Sequence, residues 1–157
     1  MEKTNVMRKL DALKIDHKEH FLGDDKNAIS GVEVARILNQ DVNRVFKTLV
    51  TVAKSNNHYV FMVPVQEELD LKKAAASVKE KALEMLHQKD LLPLTGYVHG
   101  GCSPIGMKKQ FKTVIHKTAP DFETIYFSAG KIGYQIEMPY QSLKKVIRIE
   151  EADIIKD

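Results

Sequence analysis

Residues 47–65 read KTLVTVAKSNNHYVFMVPV, and no other stretch limits the fold as much. KTLVTVAK and HYVFMVPV are both rich in β-branched and aromatic residues, which fit a pleated, half-buried surface. Between them lies SNNH, where Asn tolerates positive φ and closes a tight turn. The stretch therefore predicts an antiparallel hairpin. In strand alternation, Lys47 shares one face with Leu49 and Thr51, and Phe46, Thr48 and Val50 take the other.

The rest of the chain does not alternate strand and helix regularly. Thr4 is placed to cap a helix through about Leu13, with Val6, Met7, Leu10 and Leu13 as its apolar stripe. HKEHF (17–21) reads as a short edge strand and LGDDKNAI (22–29) as a loop. Ser30 and Glu33 form a capping-box pattern ahead of a helix burying Val34, Ile37 and Leu38. Asp41 to Phe46 reads as a short helical turn. Asp70 caps a helix over LKKAAAS. VKEKALEML (78–86) is ambiguous between helix and strand and is read as strand. HQKDLLPLTG (87–96) predicts a short helix broken at Pro93 and closed by Gly96. TVIHK, TIYFSAG and YQIEM read as strands, and Pro139 starts a last helix over YQSLKKV. About seven strands with scattered helices give an α+β fold around a curved mixed sheet or partial barrel.

A chain of 157 residues fits one domain, taken here as 1–157, and is long enough to bury a core. No apolar run approaches a membrane span, and the N-terminus lacks a signal-peptide core. One cysteine excludes an internal disulfide and fits a reducing cytoplasm. The net charge of +3 says little, but its distribution says more. Leu91 to Pro120 contains no Asp or Glu and holds Lys108, Lys109, Lys112 and Lys117. Such a segment is either a solvated face or a surface for a phosphate-bearing partner.

That segment contains GYVHGGCSPIGMKKQF (96–111), with Gly100 and Gly101 leading into Cys102. The paired glycines allow close backbone approach to a ligand, and their N–H groups can form an anion-binding concavity. A nucleophilic Cys102 would need a lowered pKa and a partner histidine. His99 and His116 are near in sequence but form no Cys–His signature. Backbone contact at Cys102 is the favoured reading.

Three pieces then stand together: VFKTLV (45–50), TGYVHGGCSPIGMKK (95–109) and IYFSAGKIGYQIEM (125–138). In this order and spacing they resemble the YbaK/EbsC family of aminoacyl-tRNA deacylases, related to the editing domain of bacterial prolyl-tRNA synthetases. The resemblance runs from the first helix to about Ile154. It implies a trans-editing enzyme that clears mischarged tRNA, cysteinyl-tRNA(Pro) or cysteinyl-tRNA(Cys), with alanyl-tRNA(Pro) as an alternative substrate. A non-catalytic tRNA- or synthetase-binding module is the reading from a different class. No metal or organic cofactor is implied. In the cysteine-specific type the substrate's own thiol attacks its ester, so the reaction is filed as hydrolase or lyase.

The resemblance places Lys47 in the substrate pocket, where a lone lysine at a strand end is ordinarily solvent-exposed. Its role would be to orient substrate and stabilise an oxyanion. Gly100, Gly101, Cys102, Ser103, Ser128, Gly130 and Gln135 fall on the pocket motifs. Many relatives carry an acid where Gln135 stands, and often an aliphatic residue at Cys102. His20 or Phe21 is expected at the pocket edge, on the strand where relatives carry an HxY-type pattern. Lys108, Lys109, Lys112 and Lys131 are the expected RNA contacts. The expected partners are mischarged tRNA and a prolyl-tRNA synthetase in a ternary complex, with no DNA and no membrane. A zinc site from His17, His20, Asp24 and Asp25 is the competing idea for the N-terminal histidines.

Overall fold

The computed structural model describes residues 2–23, 27 and 29–157. It has helices α1 (Asn5–Ala12), α2 (Gly31–Leu38), α3 (Leu71–Ser77), α4 (Gln88–Thr95) and α5 (Tyr140–Leu143). The strands are β1 (Lys18–Phe21), β2 (Phe46–Ala53), β3 (His58–Pro64), β4 (Leu83–Met85), β5 (Lys112–His116), β6 (Ile125–Ser128), β7 (Tyr134–Met138) and β8 (Ile149–Ala152). The predicted hairpin is β2–β3, paired from Phe46↔Pro64 to Val52↔His58, with Asn56 at φ 66° in its turn.

Two sheets form. One is antiparallel, in the order β1-β7-β6; the other is mixed, in the order β4-β2-β3-β5-β8. β5 runs parallel to both β3 and β8. A parallel bridge between Val45 and Tyr126 joins the sheets. The expected α+β fold with a mixed sheet is present, and the two sheets do not close, so partial barrel describes it only loosely.

Both faces of the large sheet are covered. Phe46, Val50, Val60 and Met62 pack with Phe127 and Ile136 of the small sheet and with Val6, Met7 and Leu10 of α1. On the other face Phe61, Val63 and Val114 pack against Ala74 and Ala75 of α3. The caps are those the sequence predicts. Thr4 Oγ1 accepts from the Met7 N–H at 3.2 Å, Ser30 Oγ from Glu33 at 3.2 Å, and Asp70 Oδ1 from Lys72 and Lys73. Each such cap contributes about 1 kcal/mol.

Several local expectations are corrected. Leu13 is the C-cap of α1 and half-exposed, because left-handed Lys14 turns the chain away there. Ile37 is also exposed: Ala35, not Ile37, completes with Val34 the buried face of α2 over Val45, Val65 and Tyr126. Pro93 does not break α4, which continues to Thr95. The proline forfeits one amide donor, and the Thr95 hydroxyl donates to the Leu91 carbonyl at 2.8 Å. The short turn at Val42–Arg44 ends before Phe46, which already belongs to β2. β8 is a strand the sequence reading lacked. Among the described residues, no helix is long and apolar enough to cross a membrane.

Candidate active site

The start of β2, the N-terminus of α2 and the glycine loop surround a cleft of about 400 Å³. α2 can come this close because its first residue is glycine. A Cβ on Gly31 would lie 2.5 Å from Val65 Cγ1, so any side chain there would push α2 off the end of the hairpin. Val34, Val45 and Val65 give the cleft an apolar side, and Lys47, Thr48, Gly100, Cys102, Ser128 and Gln135 give it a polar one.

Lys47 is the only Lys, Arg, Asp or Glu among the described lining residues. It is half-buried, and burial lowers its pKa, opposed by the carboxylates of Glu68 and Glu67. A half-desolvated ammonium beside an apolar wall attracts a partial negative charge more strongly than one in water. Two further polar atoms await partners. Thr48 Oγ1 and Gln135 Oε1 are buried without a hydrogen bond among the described residues. Gln135 is only 8% exposed, so its oxygen is a buried acceptor free to take a donor.

Cys102 lines the same cleft and is buried, and burial raises its thiol to about 12. A thiol there is protonated at neutral pH and is a poor nucleophile. Ser128 uses its hydroxyl as an acceptor for the Gly130 N–H at 3.1 Å. Ser103 is fully buried behind the loop, where its hydroxyl accepts from the Ile105 N–H at 3.4 Å. Neither serine is hydrogen-bonded to a base among the described residues. Among the described residues, the cleft therefore holds no nucleophile hydrogen-bonded to a base.

The glycine loop rests on the loop after β6. A Cβ on Gly101 would sit 3.1 Å from the Ile132 amide nitrogen and 3.2 Å from the Lys131 carbonyl carbon. The second glycine thus fixes loop against loop, while Gly100, at φ 87°, faces the cleft. Gly130 lies on the far side of this partition, against Tyr97.

Of the sequence-predicted residues, Lys47, Gly100, Cys102, Ser128 and Gln135 meet in the cleft, and Gly101 and Ser103 support it from behind. His20 and Phe21 do not line it. His20 shares a sheet face with Gln135, but its Nε2 donates to Glu137 Oε1 at 2.9 Å. Phe21 points to the opposite face and packs on Tyr134, ring centroids 4.9 Å apart. Thr48 and His99 line the cleft and were not predicted. Thr48 was set aside by strand alternation, but at a strand end both faces border the opening.

The histidines of the proposed zinc site have separate partners. His17 lies between the Ile15 carbonyl (2.8 Å) and Glu19 (2.7 Å). Lys3 Nζ bridges Glu19 and Asp11 beside it. Asp24 and Asp25 lie outside the described residues. Of the predicted RNA-binding lysines, Lys112 faces Glu150 at 3.5 Å, Lys131 pairs with Glu2, and Lys108 reaches the Pro93 carbonyl. Lys109 forms no ion pair among the described residues and borders a shallow cavity beside the hairpin turn.

The fold and this cleft define a class. The sequence profile of the aminoacyl-tRNA editing domain matches residues 26–146, and the chain belongs to that family. More particularly, it is 42% identical over 153 residues to a protein of Enterococcus faecalis (strain ATCC 700802 / V583) named as a Cys-tRNA(Pro)/Cys-tRNA(Cys) deacylase, EbsC. That match covers 98% of this chain and 93% of the relative. A proline–tRNA ligase of Thermosipho melanesiensis is 29% identical over 68% of this chain and 19% of its own length. Among solved structures, one described as a trans-editing enzyme for prolyl-tRNA synthetase superposes with a TM-score of 0.80 at 21% identity. It covers 99% of this chain and all of that one, a likeness of fold.

Proposed function

We propose that residues 1–157 act as one deacylase domain in the cytoplasm, clearing mischarged aminoacyl-tRNA with the cysteinyl ester of tRNA(Pro) as preferred substrate. One observation carries the reading: a lone, half-desolvated ammonium in a cleft whose only cysteine is protonated. Such a site suits a substrate that brings its own nucleophile.

In this mechanism the substrate's Sγ attacks its own carbonyl carbon and a cyclic thioester forms. The ester C–O bond breaks, and the ribose hydroxyl leaves with the thiol proton. Lys47 sits against the carbonyl oxygen as charge develops there, and the backbone at Gly100 and Cys102 walls the other side. Gln135 Oε1 accepts from the α-amino group, with Thr48 beside Lys47 holding the ester. Alignment of thiol and ester supplies much of the acceleration, since well-oriented intramolecular reactions gain up to ~7–11 kcal/mol. The identity to EbsC supports the cysteinyl substrate. The likeness to a proline–tRNA ligase supports action beside that synthetase on the same tRNA.

The test is a deacylation panel of cysteinyl-, alanyl- and prolyl-tRNA(Pro). The reading expects the cysteinyl ester to be cleaved and the prolyl ester to survive. Cleavage of the alanyl ester alone would exclude the thiol route and leave an alanyl deacylase. Salt-dependent binding without turnover of any ester would leave a tRNA-binding module.

A further inference from the structure

The partition formed by the glycine loop and the loop after β6 has a second cavity on its other side. It is about 380 Å³ in volume, open to solvent, and lined by Phe21, Tyr97, Val98, Gly130, Ile132 and Tyr134, with Glu2 and Lys131 at its rim. Val98 is 47% exposed and Phe21 36%, so an aromatic face and an aliphatic side chain stand uncovered on one wall. The Phe21 ring is braced from behind by Tyr134. The Tyr97 hydroxyl donates to the Ile105 carbonyl, which locks that ring as floor.

The charged groups lining this apolar slot, among the described residues, are Glu2 and Lys131. Lys131 pairs with Glu2, Arg8 lies close enough to influence both, and the stem of Lys108 lies along Gly96. An incoming phosphate would compete with Glu2 for Lys131 at an exposed site, where such a pair is weak. The slot adjoins the active cleft across this partition. Val98 and Gly100, and likewise Gly130 and Ser128, line opposite sides of the partition. Each pair is two residues apart along the chain, at most about 7 Å.

We infer that this slot receives an unpaired nucleobase of the tRNA 3′ end, the one preceding the esterified nucleotide, stacked on Phe21 with its phosphate at Lys131. An exposed aromatic ring in an apolar slot with a lysine at its rim is the chemistry of single-strand binding. The inference rests on the proposed deacylase reading. It gives a single domain a grip on the strand one nucleotide away from the ester.

Phe21→Ala is compared with wild type on two substrates: cysteinyl-tRNA(Pro) and a cysteinyl ester of adenosine alone. The expected result is a loss of about tenfold or more in kcat/KM on the tRNA, the scale of one lost base–aromatic stack. The loss on the adenosine ester should be at least several-fold smaller. A tRNA abasic at the penultimate nucleotide should cost wild type the same factor and Phe21→Ala nothing further. Phe21→Trp should retain activity and, in a chain with no other tryptophan, lose fluorescence when a CCA trinucleotide is added. Equal losses on both substrates, or none on the tRNA, would overturn the inference. Should wild type turn over neither ester, the deacylase reading fails, and quenching of Phe21→Trp by CCA but not by its abasic counterpart still decides the slot.

Discussion

Burial at the head of β2 pushes the Lys47 pKa down, and the carboxylates of Glu68 and Glu67 push it back up. Removing both carboxylates lowers it further. Glu67→Gln/Glu68→Gln should therefore shift the alkaline fall of kcat/KM, where Lys47 loses its proton, to lower pH. A pH–rate profile corrected for spontaneous ester hydrolysis checks this. Cys102 gives the opposite kind of prediction. With its thiol near 12, roughly 1 molecule in 10⁴ is ionised at pH 8, so the native protein should resist alkylation that the unfolded chain accepts at once. Counting modified protein by mass in buffer and in denaturant tests it. Lys47 and the glycine pair were legible in the sequence, because their motifs place them. The unpartnered oxygens of Thr48 and Gln135 were not, since an orphaned atom is a property of its surroundings.

β8 and the tail behind it depend on a histidine. His116, at the end of β5, is buried, and its Nδ1 accepts the Ile154 N–H at 3.4 Å. Burial is the largest influence on it and lowers its pKa, with Asp153 opposing and Lys117 adding. A base whose folded pKa is depressed stabilises fully above its unfolded pKa of about 6.5 and loses that stability as pH falls through the folded value. Urea midpoints should therefore drop as pH falls from about 7 to 5, and His116→Gln should flatten that drop. An unchanged slope in the variant would remove His116 from the account. The same region shows where sequence reading stopped. β8 is the four residues IEEA, with two exposed glutamates and one buried isoleucine, and only its pairing with β5 makes it a strand. α4 was read as broken at Pro93 because proline cost is local, whereas Leu91 and Leu94 packing on the core holds the helix. The hairpin was legible because its pairing is local and its turn chemistry explicit.

Across the whole molecule, the acid-free stretch from Leu91 to Pro120 gives Leu91, His99, Gly100 and Cys102 to the active cleft and sets Lys109 and Lys112 beside the turn of the β2–β3 hairpin. If tRNA binds there, log affinity should fall linearly with log salt. Lys109→Ala should reduce the slope by about 0.7–0.9, the share of one phosphate contact. Lys112→Ala should reduce it less, because Glu150 already neutralises part of that charge. Fluorescence anisotropy of labelled tRNA at several salt concentrations measures both. The Val45–Tyr126 bridge between the two sheets was the least legible feature, since a single contact 81 positions apart in the sequence has no local signature.

The central claim is that Lys47 and a substrate thiol, with no protein nucleophile, cleave the ester. Single-turnover deacylation of cysteinyl-tRNA(Pro) by Lys47→Ala and Cys102→Val, each beside wild type, tests it most directly. The predicted result is a loss of roughly 10²–10³ for Lys47→Ala, the scale of one oxyanion-stabilising donor, and a rate near wild type for Cys102→Val. Wild-type turnover by Lys47→Ala, or collapse of Cys102→Val while it remains folded, would contradict it.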